Sequence, residues 1–139
     1  MLTCCLTGAF RWLTLTTMGT WGVGLFDNDL AADMRSDWDE ALSERESYDE
    51  AMKRLTDKYA GRADDSDEGP VYWFAIAALE LDARGEVNAL SRDRALSAIA
   101  SDLERWRLEG SPEDRQAREQ ILADFAERLN RAKTARSPL

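Results

Sequence analysis

The chain has 139 residues, of which 44% are apolar and 32% charged, and its formal net charge is −9. This composition indicates one compact domain and excludes a disordered acidic tail. No run approaches the roughly 20 apolar residues of a membrane span, which argues against an integral membrane protein. The chain contains no histidine, so histidine-based catalysis and histidine-ligated metal sites are excluded.

The acidic charge is concentrated in the first half of the chain. Residues 18–70 hold 15 acidic and 6 basic residues, whereas residues 71–139 hold 12 and 11. An acidic surface repels phosphate backbones and anionic lipids, so we expect neither nucleic acid nor a membrane as a partner. Cys4 and Cys5 are adjacent, which provides no disulfide framework and no metal-ligand spacing. We therefore expect a cytoplasmic protein.

Residues 1–17 differ in composition from the rest of the chain. They are apolar and threonine-rich, and Arg11 is their one charged residue. A charge inside the apolar run does not fit the layout of a signal peptide. Because the composition changes abruptly at Met18, we interpret residues 1–17 as a non-native extension from a misassigned start site. The predicted helical domain then covers residues 18–133, and residues 134–139 form a frayed tail.

The first segment of the domain is rich in glycine. Three glycines within residues 19–24 surround Trp21 and precede Phe26. Glycine-rich turns that lead into a helix can bind phosphate, but the acidic residues that follow would repel an anion. We interpret the segment as a flexible loop that places Trp21 and Phe26 in the core.

A first helix is predicted after this loop. Apolar residues recur every four positions from Leu30 through Trp38 to Leu42, which is typical of an amphipathic helix. Asp27 or Asn28 is a suitable N-cap.

Three aspartates of this helix, Asp29, Asp33 and Asp37, have the same four-residue spacing and share one face. One interpretation is a solvated acidic face that the helix dipole favours near the N-terminus. The other is a site for a divalent cation, because carboxylate oxygens are ligands for such ions.

A capping box formed by Ser47 and Glu50 predicts the start of a second helix, and Gly61 its end. An acidic connector follows over residues 63–69. It lacks the spacing of a calcium-binding loop, so we interpret it as solvated. Its acidic residues are Asp64, Asp65, Asp67 and Glu68.

Residues 71–83 are apolar on nearly every side, a pattern typical of a helix at the centre of a bundle. A buried strand is the alternative, since Val71 and the aromatic residues after it favour strands, but the alanines favour a helix. Pro70 and Gly85 are suitable start and stop residues.

Two further helices complete the prediction. Ser91 is expected to cap the fourth helix, whose inward-facing residues are Leu96, Ile99, Leu103 and Trp106. Ser111 is expected to cap the fifth helix. We therefore predict an all-α fold, a single compact bundle of about five helices with a central apolar helix at 71–83. The predicted core aromatic residues are Trp21, Phe26, Trp38, Trp73, Phe74, Trp106 and Phe125.

Residues 18–29 read Met-Gly-Thr-Trp-Gly-Val-Gly-Leu-Phe-Asp-Asn-Asp. This segment resembles the opening of an uncharacterised bacterial family, the domain-of-unknown-function family four-two-five-nine, and residues 67–77 and 103–106 are similar to later segments of it. The resemblance implies that the protein is bacterial and begins at Met18. The family has no established activity, so the resemblance implies no catalytic residue.

We predict no catalytic or cofactor-binding residue and no cofactor, and three functions stay open. The favoured one is a protein-interaction module, regulatory, immunity-like or antitoxin-like, that binds a basic partner. A divalent-metal-dependent hydrolase built on the aspartates of the first helix is the second. A structural domain that forms homo-oligomers is the third. The predicted interaction surface comprises Asp27, Asp29, Asp33, Asp37, Asp64, Asp65, Asp67 and Glu68.

Overall fold

The structure, a computed structural model, describes residues 24–135. These residues fold into five α-helices and two short strands, which confirms the predicted all-α class. The helices are α1 (Asp29–Ser43), α2 (Tyr48–Tyr59), α3 (Gly69–Arg84), α4 (Ala89–Glu109) and α5 (Pro112–Arg131). A 3-10 turn (Ala60–Arg62) follows α2, and the strands are β1 (Glu86–Asn88) and β2 (Lys133–Ala135). None of these helices is both long enough and apolar enough to span a membrane.

Side chains at the helix ends satisfy backbone amides that have no partner within the helix. The Asn28 side chain accepts a hydrogen bond from the Leu30 amide at the start of α1. Ser47 and Glu50 form the predicted capping box of α2, and Ser111 caps α5. These polar residues therefore set the helix boundaries locally.

Helix α3 lies at the centre of the fold and contributes to two apolar clusters. One side of α3, represented by Tyr72 and Ile76, packs against the buried residues of α1 and α2. The other side, represented by Phe74 and Leu81, packs with α4, α5 and β1. A helix buried on both sides requires apolar residues all round, which explains the composition of residues 71–83.

The aromatic residues predicted in the core differ in burial. Trp38, Phe74 and Phe125 are buried, and the Phe74 and Phe125 rings meet edge to face at 5.9 Å. Phe26, Trp73 and Trp106 are only partly buried. Trp73 lies on a side of α3 where the Arg94 guanidinium covers its ring at 5.5 Å. Trp21 and the extension 1–17 lie outside the described residues.

Helix α4 packs on the core with three of the apolar residues that its spacing predicts, Leu96, Ile99 and Leu103. Ser91, Ala95 and Asp102 are its buried residues, whereas Leu96, Ile99, Leu103 and Trp106 are partly buried. The helix also begins earlier than predicted, because Asn88 rather than Ser91 is its N-cap. The fully buried positions of α4 are thus small or ion-paired, and its larger apolar side chains pack on the core while staying partly exposed.

Two three-residue strands were not predicted. β1 and β2 pair in parallel, with Val87 opposite Thr134, and Val87 is fully buried. Residues 134 and 135, which the sequence assigns to a frayed tail, therefore belong to a strand. Thr134 also accepts a hydrogen bond from the Arg92 guanidinium at 2.8 Å, which fixes it to α4.

Candidate functional site

Five carboxylates form a continuous face along α1. Their spacing of three or four residues places them on one side of the helix, and all except the half-buried Asp37 are exposed. We call this the α1 acidic face; it consists of Asp29, Asp33, Asp37, Glu40 and Glu44. The sequence identified its first three members, and Glu40, seven residues after Asp33, continues the same spacing.

Asp37 is held by two side chains of α2. Its Oδ2 atom accepts hydrogen bonds from Lys58 Nζ at 2.7 Å and from the Tyr59 hydroxyl at 2.6 Å. These bonds, first that from Lys58 and then that from Tyr59, hold the pKa of Asp37 below its usual value. Burial and the bond to Asp37 raise the pKa of Tyr59. The three residues therefore join α1 to α2.

A second cation of α2 meets the far end of the α1 acidic face. The Arg54 guanidinium donates to Glu44 at 3.3 Å and also to Glu46. By contrast, the carboxylate groups of Asp29, Asp33 and Glu40 accept no hydrogen bond and form no ion pair within residues 24–135. Part of the face therefore serves the α1–α2 contact, and three exposed carboxylates do not pair with any other described residue.

The structure does not bring Asp29, Asp33 and Asp37 together as a metal site. Among residues 24–135, no group of three acidic side chains is placed to hold a metal ion. Asp37 Oδ2 already accepts from an ammonium group and a hydroxyl, and a cation at Asp37 would be repelled by the Lys58 ammonium beside it. The arrangement thus favours the interpretation as an acidic face.

The other predicted acidic residues lie apart from α1 or serve local turns. Asp27 accepts a hydrogen bond from the Gly24 amide. Asp65 accepts from the amides of Glu68 and Asp67, and these bonds lower the pKa of Asp65. The backbone carbonyl of Asp67 accepts from Arg105 of α4 at 3.0 Å. The connector therefore packs beside α4, whereas α1 contacts α2 and α3.

The interior contains an ion pair that sequence reasoning missed. Arg118 Nε donates to Asp102 Oδ2 at 2.8 Å, and both side chains are almost fully buried. Arg118 Nη1 also donates to the Gly24 carbonyl at 3.3 Å. The sequence contains a signal for the burial of both residues. Asp102 lies at helical spacing from Ser91 and Ala95, and Arg118 lies one helical turn before Leu122, so each shares a helix face with buried residues. The pair connects α4 and α5 to the start of the described chain.

Glu80 of α3 is also buried and acts as a structural acceptor. It accepts hydrogen bonds from the Asn88 amide at 2.9 Å and from the Ser91 hydroxyl at 3.1 Å. Burial raises the pKa of Glu80, and the two hydrogen bonds oppose this shift. Since both donors belong to the start of α4, Glu80 fixes α4 to the central helix.

Comparison of the chain with protein-family models, with curated proteins and with solved structures found no match. The resemblance of residues 18–29 to a bacterial family of unknown function stays a prediction.

Proposed function

We propose that this protein is an interaction module that binds a basic protein partner through the α1 acidic face, in a regulatory, immunity-like or antitoxin-like role. The observation that supports the proposal is the set of three exposed carboxylates, Asp29, Asp33 and Glu40, that have no ion-pair partner among residues 24–135. The helix that carries them is anchored in the core on its opposite side through Met34 and Trp38.

The surrounding charge agrees with a basic partner. Residues 27–50 contain ten acidic and two basic residues, and such a field attracts a positively charged protein over a distance of about 8 Å in physiological salt. Complementary charge increases the association rate more than the final affinity. Binding should therefore weaken as salt concentration rises.

The experiment compares two variants that lose the same number of charges. The α1 variant carries Asp29→Asn, Asp33→Asn and Glu40→Gln, and the control carries Glu113→Gln, Glu119→Gln and Asp124→Asn on the exposed side of α5. Each immobilised full-length chain is incubated with lysate of its source organism, and the captured proteins are quantified by mass spectrometry. The association rate of any captured protein is then measured with purified components.

We expect wild type and the α5 variant to capture the same basic protein, and the α1 variant to lose it. The association rate of this basic protein with the α1 variant should be lower than with wild type by about tenfold or more, because three charges that attract the partner are removed. The proposal is contradicted if the two variants lose capture equally, or if wild type captures nothing but itself at low salt.

A further inference from the structure

A cavity of about 270 Å³ opens where α4 ends and α5 begins. It combines the last turn of one helix with the first turn of the next, on residues that the α1 acidic face does not share. The residues that line it are Arg105, Trp106, Glu109, Gly110, Ser111 and Asp114.

The aromatic wall of this cavity is fixed in place. Gly110 lies so close to Trp106 that a Cβ atom at residue 110 would come within 2.8 Å of the Trp106 ring atom Cε3. The Arg118 guanidinium contacts the same ring, 5.6 Å from its centroid, but does not line the cavity. Trp106 therefore presents to the cavity a part of its surface that Arg118 does not cover.

The charges around the cavity leave one carboxylate uncompensated. The Arg105 guanidinium lies 3.5 Å from Glu109 and donates to the Asp67 carbonyl, so Arg105 and Glu109 offset each other. Asp114 is exposed, and its side chain has no hydrogen bond or ion pair within the described residues 24–135. The Ser111 hydroxyl is occupied in capping the Asp114 amide at 3.1 Å.

We propose that this cavity binds a cationic side chain, arginine or lysine, of the basic protein partner. Tryptophan is the aromatic side chain that attracts a cation most strongly, and Asp114 supplies the opposite charge. Because Arg105 and Glu109 offset each other, the charge that remains in the lining is that of Asp114, which repels an anionic group. The hydrogen bond from Arg105 to Asp67 also brings the acidic connector 64–68 next to the cavity, which extends the attraction.

This inference rests on the proposed function, because it adds a second contact for the same basic partner. The two contacts have different chemistry. The α1 acidic face attracts positive charge without a pocket, whereas the cavity selects a single side chain by its shape and aromatic wall. One experiment can therefore address the cavity without knowledge of the partner.

The probe is a blocked tripeptide, acetyl-Gly-Arg-Gly-amide, and the neutral control is acetyl-Gly-Gln-Gly-amide. Each is titrated into the nitrogen-labelled full-length chain while amide and indole signals are followed by NMR. The indole signal of Trp106 is assigned with Trp106→Phe. We expect the arginine peptide to shift the signals of Trp106 and Asp114 with a Kd of the order of 1 mM, equivalent to about −4 kcal/mol, and the glutamine peptide not to shift them.

Variants then test the assigned residues. Asp114→Asn should weaken binding of the arginine peptide about three- to tenfold, as expected for loss of an exposed charge pair beside an aromatic ring. Glu113→Gln is the matched control, since Glu113 is exposed in the same first turn of α5 but does not line the cavity. It should leave the affinity unchanged.

Three results would overturn the cavity proposal: equal shifts of Trp106 by the two peptides, no shift of Trp106, or equal weakening by Asp114→Asn and Glu113→Gln. The test is separate from that of the proposed function. If the arginine peptide binds at Trp106 and no basic protein depends on the α1 acidic face, the cavity proposal stands and the proposed function fails. If a basic protein depends on the α1 acidic face and the arginine peptide does not bind at Trp106, the proposed function stands and the cavity proposal fails.

Discussion

At the scale of single residues, the interior of this protein depends on charges as well as on apolar contacts. Arg118 reaches Asp102, the Gly24 carbonyl and the Phe74 ring, whose centroid lies 5.6 Å from the guanidinium. Removing one partner of a buried ion pair is costly because the remaining charge stays desolvated. One arginine therefore holds together parts of the chain that are far apart in sequence.

Arg118→Met should lower the free energy of unfolding by about 3–5 kcal/mol, since Asp102 would remain buried without its cation. The measurement is urea unfolding followed by circular dichroism. Combining Arg118→Met with Asp102→Leu should restore most of the loss. The exposed pair of Arg131 and Glu127 within α5 is the control, and Arg131→Met should cost less than about 1 kcal/mol. Equal losses for the two arginine variants would contradict this account.

The contact between Asp37 and its α2 partners predicts a dependence on pH. Because the pKa of Asp37 is lowered from 3.8 in the folded state, its stabilising contribution is present above that ordinary value. The contribution is lost as pH falls through the lower pKa of the folded protein. Asp37→Asn should therefore reduce the difference in stability between neutral pH and acid.

NMR titration of the Asp37 carboxyl group measures this shift directly. Lys58→Met and Tyr59→Phe should each bring the pKa of Asp37 closer to its ordinary value, since each removes a hydrogen bond to the charged form. Lys53→Met is the control, because Lys53 pairs with Asp57 on the same helix. An unchanged pKa of Asp37 in the Lys58 variant would show that this ion pair does not persist in solution.

At the scale of helices, the boundaries follow from local chemistry. Gly85 ends α3 with φ of +69°, in the left-handed region, and its amide bonds back to the Leu81 carbonyl. Gly61 lies in the 3-10 turn after α2, where a Cβ atom would meet nothing within 4 Å. The two glycines thus have different roles, although sequence alone predicted each as a helix stop.

Gly85→Ala should destabilise the protein by about 1 kcal/mol, because an L-residue in the left-handed region is strained. Gly61→Ala should change stability by less than about 0.5 kcal/mol, as expected at an open surface position. Urea unfolding of both variants measures the difference. Equal effects would mean that the left-handed conformation of Gly85 does not matter for stability.

The helices could be predicted from sequence because their signals are local. Ser47 with Glu50, and Ser111 with Pro112, mark helix starts within four residues of chain. The strands could not be predicted from sequence. Each has only three residues and its partner lies more than 40 residues away in the chain, so neither leaves a periodic pattern. The burial of Asp102 in α4 could not be predicted for a related reason, because it depends on the pairing with Arg118 of another helix. Likewise, Asp29 and Asp33 could be identified from sequence as exposed acidic residues. The hydrogen bond between Asp37 and Lys58 could not be predicted, because it depends on how α2 packs against α1.

At the scale of the whole molecule, α3 couples the two apolar clusters. Because this helix supplies residues to both, neither cluster can be exposed without disturbing the other. Small domains with one shared core element usually unfold in a single transition. We therefore expect the described region to unfold as one unit.

Methyl signals of Met34 in one cluster and Leu122 in the other report this directly by NMR. Both should disappear at the same urea concentration. Phe74→Ala should lower stability by about 3–5 kcal/mol and shift both signals together. Leu108→Ala is the control, since Leu108 is 69% exposed. Persistence of one signal after loss of the other would show independent subdomains.

The parallel pairing of β1 with β2 fastens both ends of the α4–α5 hairpin beside the end of α3. The covalent connection between α4 and α5 is therefore not what holds these two helices in place. A protease cut between Gly110 and Ser111 would leave two fragments associated without a covalent bond.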